Sequence, residues 1–490
     1  MSPLQASVPL MQLLAERAKL ALAAAVPRHL HAQQLAPPLA LPAPHLPLAL
    51  SVGHTAGELS RRLSARLHAA CVSLVGSGEF GSGVSIAVAQ RGATLASVAA
   101  GFRGAADPRA VLADTPMPLL ELSCLLPALL LHSLEASGDL SLAQPIAEVW
   151  PAFGANGKEG LTISEALSHR VETRLDLGLV GGGWFESPAS LADATAKWAT
   201  LAGATLKREE DAEEASSGVF GDGAGSSSSS AGSEVLSHGW LLSAIAAAAA
   251  DPSGAGEPDP ATYLAALRDR LLAPLGIESG LWAGKLPTDK AEAAADVSSG
   301  FAAQMQGFAM LGGAAAGGGP EGGLGAGGGL PGGAAGARLL RDVPLGASVV
   351  NTASVRSGLL PGVGAFATAE ALARLLGAAA RGDFGPRGGL AAETWRCVAT
   401  EHSPLLGRRE WALGLQRFPT RAAGGGQDCA AVGLHSCGGS VALFWPRAQV
   451  SVAILLNEMS LDYAPTKALL ELVTQELGLG AVEFVEDGLF

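Results

Sequence analysis

Apolar residues recur at helical spacing between Glu58 and Leu74, with Leu59, Leu63, Leu67 and the Ala70–Cys71 step on one face. Two apolar runs follow, Val84 to Gln90 and Thr94 to Gly101, parted by Arg91-Gly92-Ala93, and such a break predicts a β-hairpin. From Pro118 to about Val180 the pattern is mainly helical. Its first part, DTPMPLLELSCLLPALLLHSLEASGDL (Asp114 to Leu140), reads as a strand leading into a long apolar helix that Ser137-Gly138-Asp139 stops. Further helices are predicted over Ser187 to Leu201, Val235 to Ala250, Thr262 to just before Pro274, Thr368 to Ala380, and Pro465 to Leu477. Strands are predicted near Trp411 to Phe418, Ser440 to Trp445 and Val450 to Asn457. Neither strand group is large enough to bury an apolar face alone, so the N-terminal hairpin is expected to share one sheet with the C-terminal strands.

Two segments break the pattern. Residues 207–232 are acidic and then Ser/Gly-rich, and 312–337 are Gly-rich; both have too little to bury against the entropy of ordering and are expected to be disordered. The reading of the chain is therefore a linker-like N-terminal region (1–57), one domain (58–479) carrying these two inserts, and a tail (480–490).

Composition narrows the function classes. The chain has 490 residues, 48% of them hydrophobic and only 16% charged, which supports a large core. A net charge of −13 argues against nucleic-acid or anionic-membrane partners. The stretch from Leu30 to Thr55 lacks Lys, Arg, Asp and Glu, but Pro37, Pro38, Pro42, Pro44 and Pro47 prevent a continuous helix, so no transmembrane segment is expected. The cysteines (Cys71, Cys124, Cys397, Cys429, Cys437) show no CxxC spacing, which speaks against a disulfide framework or a zinc site and for reduced thiols inside a cell. Phosphate-loop, HExxH and GxSxG patterns are absent, and the GxGxxG at Gly76 to Gly81 follows a helix and precedes a strand, the wrong order for a dinucleotide site. His132, His169, His238, His402 and His435 have no ligand spacing. No cofactor and no metal are expected.

The Asp114–Leu140 segment and LAQPIAEVWPAFGANGKEGLTISEALSH (Leu142 to His169) resemble the nucleophile helix and following segment of the serine β-lactamase and penicillin-binding-protein superfamily. The resemblance is nearest to the β-lactamase-like domain that follows a UbiB-like atypical kinase in plant-type fusion proteins. It implies an α/β (α+β) fold with a central antiparallel sheet flanked by helices, plus an all-α lobe. It also implies a kinase-type partner, and MQLLAERAKLALAA resembles the tail of such a kinase; the competing reading is an organellar transit peptide, since the first 57 residues contain one acidic residue. The location is then the cytoplasm, a plastid or a mitochondrion.

The family's three catalytic signatures are all altered here. It requires a Ser and, three residues on, a Lys at the start of the helix, the Lys lying fourteen residues before the terminating Gly. Counting back from Gly138 puts Cys124 at the Lys position and Glu121 at the Ser position. A rival register uses Ser123 as nucleophile and places Leu126 where the amine belongs. The second signature, a Tyr in a YHxLxxGWL-like stretch, falls on Ser233, ahead of VLSHGWL. Tyr263 and Tyr463 are placed outside the pocket. The third, an HxG triplet on an edge strand, is anchored by Gly438-Gly439-Ser440 and falls on Leu434. His435 is displaced by one residue, which in a strand points it to the opposite face. Where the family has an N-G-H run after a Pro, this chain has Gly362 to Phe366, and where it has a T-S-G turn after His169, this chain has Arg170-Val171-Glu172.

The chemistry makes these losses severe. A Ser hydroxyl is a weak nucleophile unless a neighbouring base takes its proton, and such a base contributes roughly 10²–10⁴ in rate. Leu cannot accept a proton, and an unassisted thiol has a pKa of about 8.5. The reading is a non-catalytic binding or regulatory module. The alternative is a weak hydrolase of small esters or amides, with Ser123 or Cys124 as nucleophile and Glu121 or a His as base; a gene product without selected activity is a third.

Overall fold

The computed structural model describes residues 57–77, 83–104, 107–171, 175–176, 193–206, 231–251, 253–298, 350–383, 395, 399–403, 407–421, 430–436, 439–458 and 463–483. The remaining residues, including the N-terminal region through residue 56 and the Gly-rich segment 312–337, lie outside the described residues. Helix α1 (Glu58–Ser77) precedes the hairpin β1 (Gly83–Gln90) and β2 (Ala93–Gly101). Arg91 and Gly92 take φ of 50° and 83°, the paired left-handed conformations that a two-residue hairpin turn demands. The helices α2 (Leu125–Ser137), α3 (Ile163–Leu167), α4 (Ala194–Gly203), α5 (Ala231–Ala249) and α6 (Pro260–Leu267) pack together as the lobe. Helix α7 (Ala369–Arg381) leads back to the sheet, whose strands are β3 (Ala399–Ser403), β4 (Gly407–Ala412), β5 (Leu415–Phe418), β6 (Ala431–His435), β7 (Val441–Trp445) and β8 (Val450–Leu456), and α8 (Ala464–Leu477) follows.

The eight strands are ordered β2-β1-β8-β7-β6-β5-β4-β3, every pair antiparallel. Strand β1 pairs with β8 from Val84 opposite Leu456 to Gln90 opposite Val450, so the two ends of the domain meet in one sheet as the strand count required. One face is covered by α1 and α8, which bring Leu63, Leu67, Leu469 and Val473 onto Ile86 and Ile454. The other is covered by α7 and the lobe. Strands β7 and β8 are buried along their whole length, which is why they read as continuous apolar runs rather than alternating ones.

Local signals fix the helix ends. Thr368 caps α7 by accepting from the Ala371 N–H, and Gly382 closes it at φ 74°. Helix α3 carries a full capping box between Thr162 and Glu165. Helix α2 ends at Gly138 with φ 78°, and ten of its residues, Leu125 to Leu134, are buried, so it is a core helix. The stretch Leu120–Ser137 is apolar enough to cross a membrane by length and composition, but 78% of it is buried inside the fold.

Three expectations about the elements need correction. Trp411 to Phe418 is not one strand but the hairpin β4–β5, turning at Leu413 (φ 51°) and Gly414 (φ 91°). A Leu in the left-handed region gives no turn signal; it is held there because Leu413 O accepts a hydrogen bond from His132 Nε2 at 2.9 Å. Helix α5 begins at Ala231, inside the segment read as disordered, while 207–230 lie outside the described residues. After α6 the helical path does not stop before Pro274; it continues through a π turn (Arg268–Leu272) to Leu275 and ends at Gly276 with φ 60°.

His132 couples this hairpin to α2 and to pH. It is wholly buried, and burial lowers its pKa to about 4 against the opposing hydrogen bond to Leu413. The folded protein therefore holds it neutral, whereas the unfolded chain binds a proton near pH 6.5. Stability is full above about pH 6.5 and is lost as pH falls towards 4, by on the order of 3 kcal/mol. Melting curves from pH 7.5 to 4.5 should show this loss in the parent and a shallower one in His132→Gln; parallel profiles would contradict the assignment.

Candidate functional site

The candidate site lies where the lobe meets β6. Strand residues Met117–Pro118 lead into a 3₁₀ turn, Leu120–Cys124, that continues into α2. Leu120 enters the turn with φ 47°, a left-handed conformation costing about 1–2 kcal/mol, held by the surrounding packing.

The turn is bound tightly to the segment before α7. Leu119 N–H donates to Ala365 O at 2.9 Å, and Ala365 N–H donates back to Ser123 Oγ at 3.1 Å. Cys124 Sγ donates to Gly362 O at 3.6 Å. Gly362 is in turn pressed against α5: a Cβ on Gly239 would lie 2.4 Å from the Gly362 N and Cα. Ser123 is 0% exposed and Cys124 4%, while Glu121 is half-buried. Ser123 thus serves as a backbone acceptor in the interior.

Strand β6 lies against this turn. It is an interior strand rather than an edge: β5 pairs with it from Ala431 to Gly433, and only Leu434 and His435 run past that pairing. Leu434 belongs to the lobe-side core and is 7% exposed. His435 goes to the other face, where its ring meets Phe418 at 5.9 Å and Tyr463 at 5.5 Å, as the one-residue displacement predicted. Tyr463 donates its hydroxyl to Ser436 O at 2.7 Å and is remote in role from the turn.

Ser233 falls in the first turn of α5, ahead of Ser237 and His238. Tyr263 is buried in the lobe-side core that also holds Cys124. It projects from α6, which packs on α2, and it is wholly buried; burial first, and the Cys124 thiol second, push its phenol well above the usual range. Its place could not be read from the sequence, because the packing of α6 on α2 is tertiary.

A further cluster escaped sequence reasoning. The rings of His169 and His238 stack with centroids 3.6 Å apart and an 18° interplanar angle, and Trp411 tilts onto His169 at 4.0 Å. His169 holds φ 57° in the turn after α3. Trp411 is on β4 and His238 is the neighbour of Gly239, so the stack ties lobe to sheet beside the 3₁₀ turn. Only the position of His238 within VLSHGWL hinted at it.

Lys158 is 0% exposed and donates from Nζ to Ala202 O at 3.0 Å and to Ala204 O at the end of α4, over the Phe153 ring at 5.1 Å. Burial lowers its pKa despite Glu159. That is a helix-terminus role. Cys71 is buried between α1 and the sheet, and burial pushes its thiol up to about 12, so it is unreactive. Among the described residues no three His, Cys, Asp or Glu side chains converge as a metal site would need.

Comparison with known proteins bears on this arrangement. The Beta-lactamase family model matches residues 79–476. The crystal structure of a family VIII carboxylesterase is similar at a TM-score of 0.61 and 19% identity, over 84% of this chain and 97% of that one. A penicillin-binding-protein homologue from Caulobacter crescentus gives 0.59 and 23%, over 84% and 97%. The D-amino acid amidase of Ochrobactrum anthropi SV3 gives 0.51 and 16%, over 84% and 99%. At such identities the likeness is one of fold. No curated protein matches.

Proposed function

This chain belongs to the beta-lactamase family, and on that premise we propose that it is a catalytically inactive member acting as a binding or regulatory module. The observation that carries this reading is the state of the 3₁₀ turn: its one hydroxyl, on Ser123, is buried and accepts the Ala365 N–H. In the favoured register Glu121 and Cys124 stand where nucleophile and amine belong, Ser233 where the phenol belongs, and Leu434 where the strand His belongs. A carboxylate at 121 repels an anionic substrate, and neither a buried thiol at 124 nor a leucine at 434 relays protons as a Lys or His would.

The alternative, a weak serine or cysteine hydrolase of small esters or amides, needs Ser123 or Cys124 to reach solvent. Both are buried, Ser123 accepting from the Ala365 N–H and Cys124 donating to Gly362 O. The partner that the sequence resemblance implies is a kinase-type domain, and the location an intracellular one, cytoplasm or organelle. Purified protein should hydrolyse β-lactams and activated esters at no more than the buffer rate. Turnover above that rate, lost on Ser123→Ala or Cys124→Ala, would establish the hydrolase instead.

A further inference from the structure

Two imidazoles stacked face to face can carry one positive charge but not two, because like charges a few ångströms apart repel strongly away from bulk water. His169 and His238 are such a pair, with ring centroids 3.6 Å apart at an 18° interplanar angle. His238 is 1% exposed, and His169 is half-buried in the turn after α3. Trp411 of β4 tilts onto His169 at 4.0 Å, so a proton taken up by His169 gains a cation–π contact. Three carboxylates on the elements that meet here have bonds of their own. Glu165 lies in the capping box with Thr162, Glu410 pairs with Arg417 at 3.2 Å, and Glu135 of α2 accepts from Leu142 N–H at 3.0 Å. The other charges are Glu121 on the 3₁₀ turn, Arg170 beside His169 in sequence, and Lys197 on α4. Two cations and one carboxylate give no net relief to a second proton.

The stack adjoins the packing of the 3₁₀ turn. His238 precedes Gly239, where a Cβ would lie 2.4 Å from the Gly362 N and Cα. Gly362 O accepts from the Cys124 thiol, and Ala365 exchanges hydrogen bonds with Leu119 and Ser123. We propose that the His169–His238 stack is a proton-operated latch between lobe and sheet. With no proton or one, it holds α5 against the segment from Gly362 to Ala365; a second proton parts the rings and loosens that segment from the 3₁₀ turn. The sign follows from linkage. In the opened chain each histidine takes its own proton near pH 6.5, whereas the closed stack holds one fewer. The latch is therefore fully closed above about pH 6.5 and weakens as pH falls, its opening equilibrium rising by up to about tenfold per pH unit. This goes beyond the reading of the turn as inactive and does not depend on it: labelling of Ser123 tests that reading, and proton dependence tests this one.

Hydrogen exchange at the Leu119 and Ala365 amides reads the segment directly, since the first donates to Ala365 O at 2.9 Å and the second to Ser123 Oγ at 3.1 Å. Three full-length proteins are compared between pH 7.5 and 5: the parent, His169→Phe and His238→Phe. Phenylalanine keeps a flat ring against its neighbour and removes the basic nitrogens. His132 is present in all three, so its own pH dependence cancels. After correction for intrinsic exchange rates, protection of both amides should fall more steeply in the parent than in either variant, by up to about tenfold per pH unit below pH 6.5. Equal slopes in parent and variants would overturn the latch.

A measurement on the parent alone decides the matter even if neither variant folds. In ¹³C-histidine spectra, His169 should take up a proton while His238 stays neutral, and the ring-current shifts of the stack should vanish as the second proton enters. Two independent full titrations with those shifts retained would overturn the proposal, and so would a stack that takes up no proton down to pH 5.

Discussion

Asn457→Ala is expected to destabilise the protein by on the order of 4 kcal/mol, a large share of the roughly 5–15 kcal/mol that holds an ordinary protein folded. Asn457 closes β8 and is 0% exposed. Its Oδ1 accepts from Gly83 N–H at 2.8 Å, and its Nδ2 donates to Phe102 O at 3.1 Å and Arg103 O at 2.8 Å. Its backbone adds a bond from Ser298 N–H at 2.8 Å. The side chain thus joins the start of β1 to the chain leaving β2, and the backbone carbonyl holds Ser298. Truncation leaves one N–H and two carbonyls without that partner, each costing about 1–3 kcal/mol. Asn457→Asp has the same shape and can still accept from Gly83, but it turns a carboxylate towards two carbonyls, so it should be at least as damaging. Denaturant midpoints decide this, and a loss below about 1 kcal/mol for both variants would show that the hub is not needed.

Gly239→Ala should cost about 3 kcal/mol, because the added methyl meets backbone rather than a side chain that can turn away. Its Cβ would lie 2.4 Å from the Gly362 N and Cα and 2.9 Å from the Pro361 carbonyl carbon. Either α5 or the Gly362 segment must move, and Gly362 O is the acceptor for Cys124 Sγ, so the disturbance should reach the 3₁₀ turn and raise the alkylation rate of Cys124. Gly203→Ala is the matched control: it also lies on a helix, but nothing is within 4 Å of its Cβ. That change should be neutral or slightly stabilising. Equal effects at the two glycines would contradict the close approach.

The fold was legible where burial is periodic. The helix of Glu58 to Leu74, the hairpin after it and the last two strands follow from spacing alone, and the long sequence separation between paired strands follows from their small size. The hairpin turn at Leu413-Gly414 was not legible, since a Leu takes that conformation only because α2 supplies His132. At the candidate site, spacing placed Glu121, Cys124 and Leu434 on the elements that meet there, and the one-residue displacement of His435 gave its face. Contacts made by tertiary approach stayed hidden: the core that Tyr263 shares with Cys124, the His169–His238–Trp411 stack, and the reach of Asn457 across three segments. None has a local pattern, because in each case the partner is brought by a different helix or strand.

The central claim is that the 3₁₀ turn no longer holds a usable nucleophile, and covalent labelling of the unmodified protein tests it most directly. Incubation with a fluorophosphonate and with a fluorescent penicillin, followed by peptide mass spectrometry, should show no adduct on Ser123. Stoichiometric modification of Ser123 would mean that the hydroxyl leaves the Ala365 N–H, that another base serves it, and that the protein is a hydrolase after all.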